Sequence, residues 1–521
     1  MSGPVALGRP RGLLLVAAAL AGGGLTSLAF APTAWWPFVV LGPALGLWAA
    51  AVAGTAWRGA LCGLLYGLAF AFTALRWMLV LDPVAGIVLP IVQGAFWAVT
   101  GAVAAATARR RPGRWVVTTA ATWVLVEASR ARVPLTGFEW GQLSMATTDL
   151  PVRQAPAVVG ALGTTGLLTA VAAALVVLVR HRGRLLPLVV AVLVLAATAG
   201  LGAIRWTRPD GELAVAVVQV DDPCPGAFAA DCPGYIDRLT QAYVDRTAAL
   251  DTPPDLVVWG EDALPGAVTR KAAGAALVAR AGTLPAPVLA GIATPTAPGR
   301  FLRWAALFDE DGTALDGYAK RMPVPFGEYV PLRDVLGGIS DVGRLVPEDL
   351  EAGDDPSPVV LRTGAATARL GTVISWEVTF ARAVRAVAGD ANALATLTTV
   401  ASYGRSAASD QLLAIARLRT AEHQKPMILA ATTGRSALTD PSGRTTAVAA
   451  LFRADRITGR VPLRAGLTPY ARVGDPGIIA LAAIVLIAVR LVARRRPRTA
   501  PPGPAEDDAA DRDHHVDPVT W

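Results

Sequence analysis

Three residues in the second half of the chain have types and an order that could do chemistry. Glu261 follows the apolar stretch of "VVWGEDALPG", Lys320 ends "GYAK", and Ser375 stands in "GTVISWEVTF", where an apolar strand passes into a helix. A strand-to-helix turn can expose a nucleophile, a desolvated carboxylate can act as a general base, and a fixed ammonium group can stabilise an oxyanion. The order acid, ammonium, nucleophile is more specific than any one of these residues, and it makes Ser375 the candidate nucleophile.

Two further carboxylates accompany these residues. Glu328 lies in the proline-rich loop beyond Lys320, and Glu377 follows Ser375 by two positions. Taken singly, each signal has a plain structural alternative: Glu261 as a solvated loop acid, Lys320 and Glu328 as surface residues, Ser375 as a small residue in a tight turn. The chain contains only three lysines, which weakens the surface interpretation of Lys320.

The composition is that of a membrane protein. Of the 521 residues, 53% are hydrophobic and only 17% are charged, whereas a soluble domain carries about a quarter charged residues. The net charge of +8 comes mostly from arginines that flank apolar runs. This distribution follows the positive-inside rule and argues against a nucleic-acid partner.

Apolar runs long enough to span hydrocarbon, about 20 residues each, predict about eight transmembrane helices. They lie near 12–31, 34–53, 59–80, 84–107, 115–132, 155–179, 185–204 and 476–493. Arg9 and Arg11 precede the first run as in a signal peptide, but the absence of a clear cleavage site and the train of later runs predict a retained helix.

The gaps between the predicted spans are alternately rich and poor in arginine, and this alternation predicts the orientation of the chain. The arginine-rich gaps, which we assign to the cytoplasm, contain Arg9, Arg11, Arg58, Arg109, Arg110, Arg111, Arg114, Arg180, Arg182 and Arg184. The gaps at "PTAWWP", "LDP" and 133–154 are poor in arginine and are assigned to the outside, with Arg130, Arg132 and Arg153 as exceptions. Seven spans leave the chain outside, and the eighth returns it to the basic stretch "RLVARRRPR". We therefore expect a multi-pass membrane protein with both termini in the cytoplasm.

The predicted spans divide the chain into four regions. Residues 1–207 form the seven-helix membrane domain, 208–470 an extracytoplasmic domain, 471–497 the last transmembrane helix, and 498–521 a disordered cytoplasmic tail that is rich in proline and acidic residues. Within 208–470, strand-like stretches such as "ELAVAVVQV" and "KPMILAATTG" alternate with amphipathic helices, and "DEDGT" and "DPSG" read as hairpin turns. This alternation predicts an α/β domain of sandwich type.

The cysteines do not indicate a metal site, and the paired His514 and His515 in the predicted tail, which could bind a metal, are interpreted as solvated residues. Cys62 lies in an apolar run and is interpreted as a packed small hydrophobe, and no CxxC or Cys/His cluster is present. Cys224 and Cys232 are close in sequence in the segment assigned to the outside, where a disulfide between them is plausible.

Taken together, these motifs resemble the apolipoprotein N-acyltransferases, membrane-bound enzymes of the nitrilase superfamily. The resemblance covers almost the whole chain. It is carried by "GFEWGQL" at 137–143, "VVWGEDALP", "YAKRMPVPFGEYVP", "ISWE" and "LLAIARLRTAEHQKPMILAATTGRSALTDPSGR", which occur in the family's order. It implies a nitrilase-like (CN hydrolase) α-β-β-α sandwich above the outer leaflet. The implied reaction transfers an acyl chain from a phospholipid to the N-terminal amine of diacylglyceryl-cysteine lipoproteins, without a cofactor.

The resemblance also implies the roles of the site residues. The family uses a Glu-Lys-Cys triad, whose positions match Glu261 as base, Lys320 as stabiliser of the tetrahedral intermediate, and Ser375 in place of the nucleophilic cysteine. Glu328 and Glu377 are the supporting acids. Serine is far less acidic than a thiol and usually acts with a histidine base, and the only histidine in the outer domain is His423. A second departure is "TTVASYGRS" at 398–406, where the family usually has an Asn-Asp/Glu-Gly/Ala-Trp-Phe type of run.

Two hypotheses of function follow. The first is an active lipoprotein N-acyltransferase that uses Ser375 through an oxyester. The second is a catalytically impaired homologue that binds lipid or lipoprotein or serves as a scaffold, for example for a polyprenol-phosphate mannose synthase. Amide hydrolysis of the nitrilase type, a third possibility, fits poorly with the membrane half.

Overall fold

The computed structural model describes residues 9–221, 232–264, 269–336, 346–364 and 366–494. The predicted tail at 498–521 and Cys224 lie outside these residues. Cys232 is disulfide-bonded and Cys62 is a buried free thiol.

Within the described residues, nine α-helices precede the first strand. They are α1 (Arg9–Ser27), α2 (Phe38–Val52), α3 (Ala56–Ala74), the single turn α4 (Met78–Leu81), α5 (Ala85–Ala95), α6 (Trp97–Thr107), α7 (Pro112–Arg130), α8 (Pro156–Arg180) and α9 (Leu186–Ala203). Predominantly apolar stretches form these helices, because a helix satisfies its backbone polar groups within the segment. Glycines at their crossings, such as Gly63 against Gly101, let the backbones approach closely.

Five helices of the described chain are long and apolar enough to cross a membrane: Ala56–Ala74, Ala85–Thr107, Pro156–Arg180, Leu186–Ala203 and Pro469–Val492. Two shorter apolar helices, Gly12–Ser27 and Phe38–Val52, coincide with the first two predicted runs. The multi-span helical architecture is therefore confirmed, whereas the count of eight spans, their orientation and the division of the chain into the four regions stay predictions.

The remaining chain folds into two sheets with helices on their outer faces. The strands are β1 (Arg208–Gln219), β2 (Leu256–Val258), β3 (Val288–Ala297), β4 (Arg300–Phe308), β5 (Ala314–Ala319), β6 (Asp349–Leu350), β7 (Val359–Arg362), β8 (Thr367–Ile374), β9 (Ala393–Thr398), β10 (Met427–Ala431), β11 (Ala437–Thr439), β12 (Thr445–Val448) and β13 (Asp455–Ala465). The helices are α10 (Tyr235–Ala248), α11 (Arg270–Ala281), the single turn α12 (Arg333–Leu336), α13 (Ala381–Ala388), α14 (Ala408–His423) and the closing helix α15 (Pro469–Arg494).

The first sheet has the order β13-β1-β2-β3-β4-β5, with β6 paired to β4, and the second has the order β12-β11-β10-β9-β8-β7. The alternation of side chains across a strand places Leu256 and Val258 in the core between the sheets and Val257 against α10 and α11. Both predicted hairpin turns are confirmed, because β4 pairs antiparallel with β5 and β11 with β12. The α-β-β-α sandwich is therefore confirmed.

The two sheets bring the carboxyl ends of their parallel strands together. β8, β9 and β10 are parallel, with Ile374 opposite Leu397. Across the sandwich, the backbone N–H of Glu261 donates to the carbonyl of Thr398 at 3.4 Å, and the Thr432 hydroxyl donates to the carbonyl of Glu261 at 3.1 Å. In α/β folds, ligands bind outside the carboxyl ends of strands, so this edge is where a site is expected.

A buried ion cluster joins the helical bundle to the sandwich. The Arg419 guanidinium on α14 is fully buried and pairs with Glu422 at 2.7 Å and with Glu139 at 3.1 Å. α8 breaks at Gly160 (φ 66°), and the N–H of Ala161 just beyond donates to Glu422 at 2.7 Å. The bundle and the sandwich are therefore held together by charges that have no access to water.

The same guanidinium fixes the turn that follows Ser375. It donates to the carbonyls of Val378 at 3.0 Å and of Thr379. Glu139 accepts the N–H of Ala381, the first residue of α13, at 3.1 Å. The geometry of this turn therefore depends on contacts with the bundle as well as on the sandwich.

Replacement of Arg419 by methionine is expected to destabilise the protein by about 3–5 kcal/mol, because it leaves the carboxylates of Glu139 and Glu422 buried without their cation. The measurement is thermal unfolding of the purified protein in detergent. Arg460→Met is the control, since Arg460 pairs with Glu212 on the surface and should cost at most about 1 kcal/mol. Equal melting temperatures for the two variants would contradict the assigned role of Arg419.

Candidate active site

Ser375 lies directly after β8 and begins a short 3-10 turn, Ser375–Thr379, that leads into α13. Its φ of 57° is in the left-handed region, which a residue other than glycine occupies at a cost of order 1–3 kcal/mol and which is frequent at functional sites. The side chain is half-buried, and no described residue hydrogen-bonds to its hydroxyl group. The predicted strand-to-helix turn is thus confirmed, and it leaves the Ser375 oxygen available.

Glu261 is buried, with 1% of its surface exposed, so it is not a solvated loop acid. Its Oε1 accepts a hydrogen bond from Arg303 at 2.9 Å, and its Oε2 accepts one from the backbone N–H of Thr399 at 3.0 Å. Burial raises the pKa of this carboxyl above its ordinary value, against the opposing effect of the nearby Lys320 and Arg303. A raised pKa brings a carboxylate closer to what a general base requires at neutral pH.

Lys320 follows the last residue of β5 and is completely buried, so it is not a surface lysine. Its Nζ lies 2.6 Å from Glu328 Oε1 and 3.5 Å from Glu261 Oε1. Burial favours the neutral amine, but the charges of Glu328 and Glu261 outweigh this and raise the pKa of Lys320. Lys320 is therefore an ammonium ion, suited to stabilising an oxyanion and unsuited to accepting a proton.

Glu328 completes the ion cluster. Its Oε1 accepts from Lys320, and its Oε2 accepts from the backbone N–H of Val324 at 2.8 Å. Burial opposes ionisation, but Lys320 and Arg303 outweigh it and lower the pKa of Glu328. The carboxylate thereby closes the proline-rich loop on itself and holds the Lys320 ammonium group.

Glu377 connects the turn at Ser375 with the segment after Lys320. Its Oε1 accepts from the backbone N–H groups of Arg321 at 2.8 Å and Met322 at 2.9 Å, and its Oε2 accepts from that of Ile374 at 2.8 Å. The Tyr318 hydroxyl donates to the same carboxylate at 3.1 Å. Burial raises the pKa of Glu377 to about 7, against the opposing effect of these hydrogen bonds.

These bonds bring the residues flanking Ser375 close to those flanking Lys320. The contact is reinforced by the Trp376 indole, which donates to the carbonyl of Met322. Glu377 therefore acts as a structural clamp, and the roles of Glu328 and Glu377 as supporting acids stay a prediction.

Arg303 is the site residue that the sequence reasoning missed. Its Nη1 lies 2.9 Å from Glu261 Oε1 and 2.5 Å from Glu328 Oε1, and its Nε lies 3.2 Å from Asp262 Oδ1. The available signal was an arginine inside the otherwise apolar stretch "FLRWAALF". That signal was weak, because a strand edge or a surface face would explain it equally well.

His423 does not serve Ser375 as a base. It is buried beside Tyr470, with ring centroids 6.1 Å apart, and neither ring nitrogen has a hydrogen-bond partner among the described residues. Burial and nearby cations lower its pKa to about 3, so it is a neutral packed side chain.

The segment 398–406, whose sequence differs from the expected run, contributes to the site. Thr399 supplies the N–H that binds Glu261, and the Tyr403 ring packs edge-on against Trp77 of the bundle at 5.2 Å. In this chain, the segment 398–406 therefore contributes the backbone N–H of Thr399 and the aromatic ring of Tyr403.

The arrangement can support acyl transfer through a covalent ester. The hydroxyl of Ser375, the buried carboxylate of Glu261 and the buried ammonium group of Lys320 each follow a strand end, and Glu377 ties the turn at Ser375 to the segment after Lys320. Acyl transfer through an ester needs these three kinds of group. No group of three or more His, Cys, Asp or Glu side chains within the described ranges is arranged to hold a metal ion.

Comparison with known proteins places the chain in a family. The model for the apolipoprotein N-acyltransferase N-terminal domain matches residues 22–174, and the model for carbon-nitrogen hydrolase matches residues 214–466. The apolipoprotein N-acyltransferase of Methylococcus capsulatus is 31% identical over 72% of this chain and 73% of its own length. That of Azotobacter vinelandii is 31% identical over 94% of this chain and 96% of its own length.

A solved structure is also similar in part. The carbon-nitrogen hydrolase of Helicobacter pylori is 15% identical, with a TM-score of 0.34 over 55% of this chain and 96% of that chain, which is too distant to support an argument about the site. The bacterial relatives and the five apolar helices together make this a bacterial membrane protein. The chain belongs to the apolipoprotein N-acyltransferase family of the nitrilase superfamily.

Proposed function

We propose that this protein transfers an acyl chain from a phospholipid to the N-terminal amine of diacylglyceryl-cysteine lipoproteins. The observation that carries the proposal is the buried cluster of Glu261, Lys320 and Glu328 beside the strained turn at Ser375. The names of the relatives supply the acyl group as what is transferred and an apolipoprotein as its acceptor, and the phospholipid donor is part of the proposal. Membership of the family supports an active enzyme over an inactive one.

The geometry supports a two-step reaction. In the first step, Glu261 takes the proton of the Ser375 hydroxyl as its oxygen attacks the acyl carbonyl carbon of the phospholipid. The ester bond to the glycerol oxygen then breaks, the lysophospholipid leaves with the proton from Glu261, and the acyl chain remains on Ser375 as an oxyester. Lys320 stabilises the negative charge on the carbonyl oxygen in the tetrahedral intermediate.

In the second step, the free α-amine of the lipoprotein cysteine attacks the oxyester carbonyl. Glu261 accepts a proton from the amine and returns it to the Ser375 oxygen as that bond breaks. The products are an amide-linked third acyl chain and the restored serine. A carboxylate with a raised pKa can serve both transfers, since it must gain and lose a proton in each step.

The proposed topology follows from the substrates, which are both anchored in a membrane. We assign the sandwich, about residues 208–470, to the outer side of the plasma membrane, and both termini to the cytoplasm. The arginine-rich gaps and the eight predicted spans support this orientation. No cofactor enters the proposed reaction.

The test is complementation in a bacterial strain that can be depleted of its own N-acyltransferase. The wild-type protein is expressed there, and the N-terminus of an abundant lipoprotein is analysed by mass spectrometry. We expect the mass of a third acyl chain when the protein is present and only the diacyl form with the empty vector. If the strain that carries the wild-type protein in its membrane also yields only the diacyl form, the active-enzyme proposal is rejected.

A second candidate function rests on Ser375 itself. A serine hydroxyl is a poorer nucleophile with a carboxylate base than a thiolate would be, and this favours a homologue that binds lipid or lipoprotein without catalysis, or a scaffold. In the scaffold version of this candidate function, the proposed partner is a polyprenol-phosphate mannose synthase. Copurification of the wild-type chain with that synthase, without any third acyl chain on lipoproteins, would support the second candidate.

A further inference from the structure

Glu261, the carboxylate assigned as the base, has two cationic neighbours, Lys320 and Arg303. Lys320 Nζ lies 3.5 Å from Glu261 Oε1, a weak contact, whereas Arg303 Nη1 lies 2.9 Å from the same oxygen. The close partner of Lys320 is Glu328, at 2.6 Å. The carboxylate assigned as the base is therefore held by Arg303 more than by Lys320.

The guanidinium group is well placed to hold two carboxylates at once. Nη1 lies between the Oε1 atoms of Glu261 and Glu328, and Nε faces Asp262 at 3.2 Å. The planar fork of arginine offers donors in fixed directions, which a lysine cannot reproduce. Its position is set by the sheet, because the carbonyl of Arg303 accepts the backbone N–H of Lys320 at 2.8 Å.

We propose that Arg303 is a positioning residue of this site: it anchors the carboxylates of Glu261 and Glu328, which leaves the Lys320 ammonium group with a donor for the substrate oxyanion. An ammonium group has three N–H donors, and in this geometry one goes to Glu328 and one is directed weakly at Glu261. The role in catalysis rests on the proposed function. The anchoring of the charge cluster does not, and it can be measured separately.

The first measurement follows the charge cluster without any acyl transfer. In a Ser375→Cys background, the rate of alkylation of the introduced thiol by iodoacetamide is recorded against pH, by mass spectrometry of the peptide that contains position 375. Arg303→Gln removes a positive charge from the cluster, so the midpoint of the alkylation profile should move up by about one pH unit. Arg300→Gln is the matched control, since Arg300 lies on the same strand but pairs with Glu351 at the surface, and it should not move the midpoint.

The second measurement is acyl transfer by the full-length protein that retains Ser375, in detergent with a phospholipid and a diacylated lipopeptide. Arg303→Gln should lower kcat by about 10- to 100-fold, the cost of a misplaced catalytic group, and change KM little. Arg303→Lys keeps the charge and should leave the alkylation midpoint near its starting value, yet it should still lower kcat, because a flexible lysine lacks the rigid planar fork that places Nη1 against both carboxylates while Nε faces Asp262.

The outcomes separate the two proposals. An alkylation midpoint that Arg303→Gln leaves unchanged overturns the role of Arg303, whether or not the protein transfers acyl chains. A shifted midpoint in a protein without acyl transfer supports the anchoring role and rejects the proposed function. If Arg303→Gln fails to fold, the decision passes to Arg303→Lys, for which an unchanged kcat would overturn the proposal.

Discussion

Ser375→Ala is expected to remove the third acyl chain from lipoproteins completely, because the oxyester cannot form without the hydroxyl group. Loss of the nucleophile from a catalytic triad lowers kcat by on the order of 10⁶, which is below detection in cells. The measurement is mass spectrometry of a lipoprotein N-terminus in the depleted strain. The variant should still reach the membrane at wild-type levels, because alanine fits the space of the serine and no described residue loses a hydrogen bond.

Ser357→Ala is the matched control for this variant. Ser357 is an exposed serine just before β7, outside the site, and its replacement should leave triacylation unchanged. Persistent triacylation by Ser375→Ala would show that Ser375 is not the nucleophile.

Ser375→Cys distinguishes the two candidate functions. A thiol is ionised far more readily than a serine hydroxyl, so a site that lacks only its nucleophile should become active. If the wild type yields only diacyl lipoprotein and Ser375→Cys yields the triacyl form, the second candidate function holds for the natural chain. If neither the wild type nor Ser375→Cys acylates the lipoprotein, the sequence change at 398–406 also prevents catalysis, and the active-enzyme proposal fails.

Lys320→Ala is the second variant with a large expected effect. Its ammonium group is the completely buried cation of the site, and loss of one group that stabilises an oxyanion costs about 10²–10³ in kcat. Glu328 would also lose its 2.6 Å partner, which disturbs the loop that it closes. Together these effects should reduce acyl transfer at least 1,000-fold by the same principle, measured as kcat for a diacylated lipopeptide in detergent.

Lys271→Ala provides the comparison, because Lys271 lies exposed on α11 and its replacement should not change kcat. A structural role alone would lower the melting temperature of Lys320→Ala in proportion to its loss of activity. A normal kcat in Lys320→Ala would remove Lys320 from the assigned triad.

The sequence by itself determined much of the architecture. Long apolar runs predicted the membrane helices because hydrocarbon imposes length and composition on any segment that crosses it. Alternating strands and turn residues predicted the sandwich, because those signals act over a few neighbouring residues. The order of Glu261, Lys320 and Ser375 was also readable, since each stands next to a strand end that the local pattern defines.

Only the tertiary structure decided how these residues are held. Arg303 meets Glu261 and Glu328 across 42 and 25 positions of sequence, and Arg419 meets Glu139 across 280. No periodicity predicts such pairs, because they depend on which strands and helices become neighbours in space. The interpretations of Glu261 as a solvated loop acid and of Lys320 as a surface lysine were also excluded only by the tertiary structure, because both side chains are buried. Burial is a property of the packed sandwich, and it makes Glu261 a desolvated carboxylate and Lys320 a desolvated ammonium group whose charged atoms lie 3.5 Å apart.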